Sequence, residues 1–136
     1  MKISCVIGLV LLISVSGEVR SEFSLQGKWR SNSELTIQSI ESVRDLSKES
    51  REAYERMFGK MILAFSGNGV EVDRKIPGAE RLSYTYRIIS KSPDRITVEY
   101  GGPDDPEETV DYVIEGPCIK RKVPGEEWFE YWCKVE

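Results

Sequence analysis

From residue 60 onward, apolar side chains fall on every second position. In "RLSYTYRIIS" (81–90), Leu82, Tyr84, Tyr86 and Ile88 alternate with Ser83, Thr85 and Arg87. "DRITVEY" (94–100) sets Ile96, Val98 and Tyr100 against Arg95, Thr97 and Glu99. "TVDYVIE" (109–115) sets Val110, Tyr112 and Ile114 against Thr109, Asp111 and Glu115. A period of two sends alternate residues to opposite faces of a strand, so each run predicts a strand with one buried and one wet face. "KMILAFSGNGVEVDR" (60–74) reads as two strands joined at Gly67-Asn68-Gly69, a strong hairpin signal. Two shorter runs precede it: a first strand at 25–30, and "ELTIQ" (34–38), which also alternates.

One segment breaks the period. In "LSKESREAYERMFG" (46–59), Leu46, Ala53, Tyr54, Met57 and Phe58 share a helical face, and charged residues take the other. Ser47 suits the N-cap, Glu49 the first turn and Gly59 the stop. A helix over about 46–58 therefore rests on another element. Eight or nine strands with short connections pair antiparallel with their sequence neighbours. The expected fold is mainly β: an antiparallel meander forming a closed or partly open barrel, with one helix.

The N-terminus follows a different pattern. Lys2 precedes an apolar run over 3–15 that is shorter than a membrane span, and small residues follow it. This is the layout of a cleaved signal peptide at 1–17, with cleavage before Glu18. The expected location is the bacterial periplasm or outside the cell, with no membrane span once the leader is removed. Residues 18–136 then form a single domain. Formal charge is −4 over the whole chain, and loss of Lys2 makes it one unit more negative. That balance argues against nucleic acid, which needs a basic stripe.

Cys5 leaves with the leader, so Cys118 and Cys133 remain and read as one disulfide in an exported chain. "IKRKVPGEEWFEYW" lies between them. A hairpin with a four-residue loop over 124–127 sets residue 118 opposite residue 133 as a non-hydrogen-bonded pair, at disulfide distance. A Pro-Gly type II turn would shift the register and separate them.

Gly27-Lys28-Trp29 on the first strand, followed by a meander, resembles the lipocalins and their calycin relatives. Phe23, Gly27 and Trp29 carry the match, and the aromatic-rich end "EEWFEYWCKVE" is similar to that of small exported lipocalin-like proteins. The helix near the early strands is similar to the lid of fatty-acid-binding proteins. The resemblance implies a barrel, with Gly27 and Trp29 structural and the tryptophan closing one end, and it makes ligand binding an expectation.

Catalytic chemistry finds little support. The chain has no histidine, which removes Ser-His-Asp and Cys-His catalysis and the usual metal ligand sets. A disulfide removes the thiolates. The acidic loop "GGPDDPEE" (101–108) lacks the glycine and spacing of a calcium loop, and its adjacent carboxylates read as solvated. No cofactor or metal is expected, and the protein reads as a non-enzyme.

The aromatic residues are more informative. Tyr84, Tyr86, Tyr100 and Tyr112 all occupy the apolar phase, so an inward face carries hydroxyls that need partners. Either they line a cavity for a small apolar or amphipathic ligand, or the rings are buried with hydroxyls reaching water at the rim. Trp128 and Trp132 share one phase of the last strand, opposite Phe129 and Tyr131. Either the helix covers that face, or it is an exposed patch for a protein partner. Two functions follow: a binding protein for a small ligand, using the tyrosines, or an inhibitor or immunity-type protein. The second would act on a cell-envelope hydrolase or toxin, through Trp128, Trp132, Asp104 and Asp105.

Overall fold

The computed structural model describes residues 23–102 and 108–135. The predicted leader and the acidic pair Asp104 and Asp105 lie outside them. Eight strands form a closed barrel in chain order: β1 (Gly27–Ser31), β2 (Ile62–Ser66), β3 (Gly69–Asp73), β4 (Leu82–Lys91), β5 (Arg95–Gly101), β6 (Glu108–Glu115), β7 (Cys118–Lys122) and β8 (Phe129–Lys134). Every neighbour pairs antiparallel, and β8 returns to β1 through Trp29↔Lys134 and Ser31↔Trp132. The expected mainly β meander is therefore present, and it closes fully.

The turns explain the register. Gly67 and Gly116 each open a two-residue turn, with φ of +61° and +56°. Ser66 then pairs with Gly69, and Glu115 with Cys118. A positive φ at the first central position matches the twist of a hairpin, and glycine reaches it without a Cβ penalty. Between β7 and β8 the loop is 124–127, closed by Val123 and Trp128. That loop sets Cys118 directly opposite Cys133, with Cα atoms 4.0 Å apart and the disulfide formed.

Among the described residues two helices stand where the sequence predicted one. α1 (Ser33–Glu41) replaces the strand expected at 34–38, and α2 (Lys48–Met57) is the helix expected at about 46–58. Five residues of alternation fit either structure. What decides is Asn32, whose side chain caps the helix at the Leu35 N–H, and the burial of Thr36, Ile37 and Ile40 at helical spacing. Ser47 caps α2 as expected, accepting from the Ser50 N–H. Its apolar face is less covered than expected: Tyr54 and Phe58 are half-buried, but Met57 is 64% exposed.

α1 also finishes the barrel wall. β1 stops at Ser31, which would leave β8 with an open edge at 129–131. Asn32 donates to the Tyr131 carbonyl, Tyr131 donates to Thr36 Oγ1 at 3.0 Å, and Phe129 donates to Ser39 Oγ at 2.8 Å. Helix side chains thus satisfy the edge that a ninth strand would have paired.

Candidate ligand cavity

The two ends of the barrel differ. At the end carrying the 67–68 and 116–117 turns, Trp29 is 1% exposed and its Nε1 donates to the Leu25 carbonyl at 2.8 Å. The Phe23 ring lies 5.9 Å from it, and the Lys134 ammonium stands 4.9 Å over its face. Gly27 turns the chain from this plug into β1 with φ +113°, a conformation that side chains with a Cβ rarely adopt. Gly27 and Trp29 therefore close one end of the barrel.

Tyr86 belongs to the same end. Its hydroxyl donates to the Gly67 carbonyl at 2.8 Å and accepts from Gln26 Nε2, while its ring meets Phe65 edge-on at 5.0 Å. Of the four predicted tyrosines it is the one turned away from the cavity.

The opposite end opens into a cavity of about 830 Å³. Met61, Arg74, Leu82 and Glu108 lie at its rim, at or beyond the ends of β2, β3, β4 and β6. Inside, the register sorts the walls. On β2, β3 and β4, Leu63 pairs with Val72 and Val72 with Leu82, an apolar row. On β7 and β8, Arg121 pairs with Glu130, and the β6–β7 register that joins Val113 to Lys120 carries Tyr112 alongside Arg121. Tyr112, Arg121 and Glu130 thus make a polar row, of which Tyr112 and Arg121 line the cavity. In an eight-stranded barrel β2, β3 and β4 face β6, β7 and β8, so the two rows look at each other across the cavity.

The polar row is internally paired. The Tyr100 and Tyr112 hydroxyls lie 2.7 Å apart. Arg121 sits 3.7 Å from Glu130 and 3.6 Å from Glu108, both longer than a good hydrogen bond. Burial pushes both phenols above their ordinary value; their mutual hydrogen bond raises Tyr100 further, and for Tyr112 that bond and Arg121 oppose the rise. Burial also raises the Glu130 carboxyl, with Arg121 opposing. Tyr84 is half-buried and lines the apolar side next to Leu82.

Of the two arrangements open for Trp128 and Trp132, cover by the helix or an exposed patch, the exposed patch is not found. Trp132 is 5% exposed and lines the cavity from within the barrel core. Trp128, 7% exposed, precedes β8 and packs under α2, with Tyr54 and Phe58 ring centroids 6.5 and 6.0 Å away. The helix covers Trp128, which was one of the two arrangements the sequence allowed. Arg121 and Glu130 are what sequence reasoning missed. Their signal was available: each shares the phase of a buried neighbour, Ile119 and Trp132 respectively.

Among the described residues no group of three or more His, Cys, Asp or Glu side chains is placed to hold a metal, and no helix is long and apolar enough to cross a membrane. The fold and cavity define a small closed antiparallel barrel, plugged at one end and, among the described residues, open at the other, compatible with a lipocalin-like fold. No protein-family model matches the chain, and comparison with curated proteins and with solved structures gives no significant match.

Proposed function

We propose that this is a non-catalytic binding protein, exported to the periplasm or beyond the cell, which holds a small amphipathic molecule in its barrel. The observation that carries this reading is the cavity of about 830 Å³, with an apolar wall and the part-buried Tyr100–Tyr112 pair beside Arg121. Its size falls within the range of about 300–1,000 Å³ that small-molecule sites occupy, and a few polar groups in an apolar lining are how such sites orient a ligand. The Cys118–Cys133 disulfide fits an oxidising compartment.

Native mass spectrometry of protein purified from its own host tests the reading. A retained molecule of low mass, lost on denaturation, is the expected result. A stable complex with another protein and no small molecule would favour the inhibitor or immunity reading instead.

A further inference from the structure

The polar groups of the cavity are arranged across the barrel rather than gathered at one point. Tyr100, Tyr112 and Arg121 line the cavity as one row from three successive strands, β5, β6 and β7. Neighbouring strands are about 4.8 Å apart, so the row spans about 10 Å of one wall. Within it the Tyr100 and Tyr112 hydroxyls meet at 2.7 Å. The facing wall is apolar at Leu63, Val72 and Leu82, with the Tyr84 phenol beside them on β4 and Arg74 at the rim.

A head-to-tail ligand such as a straight-chain acid needs something else. Its chain wants apolar contact on all sides, and its head needs one compact polar cluster. Here a chain lying in the cavity would leave its methylenes against Tyr100, Tyr112 and Arg121 along one side, displacing whatever solvates them without replacing those contacts. A molecule with a polar side and an apolar side would satisfy both walls together. Arg121 favours such a ligand because its two ion-pair contacts are long, so a ligand oxygen placed beside it adds a charge-assisted bond.

We propose that the cavity takes a facial amphiphile: a rigid molecule with its polar groups along one long side and hydrocarbon along the other. This rests on the reading of the barrel as a ligand-binding site. The probes are cholate, a steroid acid with its hydroxyls on one face, and palmitate, a straight-chain acid. Both are titrated calorimetrically into the protein as purified from its host, freed of any retained ligand, below the concentrations at which they self-associate.

Cholate should bind about tenfold or more tighter than palmitate, the gain of one or two well-made polar contacts. Tyr112→Phe and Arg121→Gln, each checked by circular dichroism for a native fold, should bring the ratio of the two affinities toward one. Palmitate binding as tightly as cholate would overturn the two-sided assignment and leave the ligand-binding reading standing. Binding of neither would overturn both. A cholate preference that survives both substitutions would overturn the role given to the polar row.

Discussion

The hydroxyls of Tyr100 and Tyr112 meet at 2.7 Å inside the barrel wall, each the other's partner. The two residues are not cross-strand neighbours: Tyr100 pairs with Glu108, and Tyr112 with Ile96. Their rings lean toward each other along one pair of strands, and the contact lets two phenols sit in a largely apolar interior. It also leaves the pair beside Arg121, where a ligand would meet it.

That pairing makes the two residues energetically coupled. Tyr112→Phe removes one hydroxyl and strands the other, at a cost of about 1–2 kcal/mol. Tyr100→Phe should cost a similar amount, but Tyr100→Phe/Tyr112→Phe should cost clearly less than the two together, since nothing polar is then left unpaired. Urea unfolding of the four proteins gives the cycle. Strict additivity would mean that each hydroxyl is solvated independently.

The Cys118–Cys133 bridge closes a loop of sequence separation 15 within a hairpin already set by its turn. Cys118→Ser/Cys133→Ser should therefore lower stability by about 3 kcal/mol, the chain-entropy value for a loop of this length, without opening the barrel. Chemical denaturation measures the loss, and near-ultraviolet circular dichroism of Trp29 and Trp132 reports whether the core persists. A collapsed near-ultraviolet signal in the absence of denaturant would show that the bridge holds β7 to β8.

Thr36 is fully buried, and its hydroxyl is the acceptor for the Tyr131 N–H. Thr36→Val keeps the shape and removes the acceptor, leaving a backbone donor of β8 without its partner. The expected cost is about 1–3 kcal/mol, the penalty of an unsatisfied buried group. Ser39→Ala should cost less, because Ser39 is only half-buried and water can replace it at Phe129. Hydrogen exchange at Tyr131 should accelerate selectively in Thr36→Val. Unchanged exchange would remove α1 from its role as the cover of that edge.

The parts of this architecture legible in the sequence are those where a local rule acts alone. β5 and β6 could be read because one face of each is wet, so period two survives. The Cys118–Cys133 register could be read because a four-residue loop leaves no other pairing. The same register sets Arg121 opposite Glu130, yet a charged side chain reads as solvated by default, and only closure of the barrel turns both inward. α1 was hidden for another reason. Five alternating residues are too few to separate a strand from a helix, and the burial of Ile37 and Ile40 depends on elements distant in sequence. Trp128 is similar: its cover, Tyr54 and Phe58, lies some 70 residues earlier in the chain.

Glu130, largely buried on the inward phase of β8, makes the stability of the barrel depend on pH. Burial holds its carboxyl above the ordinary value of 4.5, and Arg121 only partly opposes this. A raised folded-state value means that, between the ordinary and the raised value, the folded protein binds more proton than the unfolded chain. Stability from this group is then fully present below the ordinary value and is lost as pH rises through the raised one. Glu130→Gln removes the titration but keeps an acceptor for Arg121. Parent and variant should unfold at nearly the same urea concentration at about pH 3, well below the ordinary value, where Glu130 is protonated in both states. By about pH 8 the variant should be the more stable, because it carries no buried charge to desolvate. Taking the difference between the two proteins cancels the opposite trend from Glu115, whose carboxyl the Lys120 ammonium holds low. A gap that stays constant with pH, or that favours the parent at high pH, would show that Arg121 stabilises the ionised carboxylate more than burial penalises it.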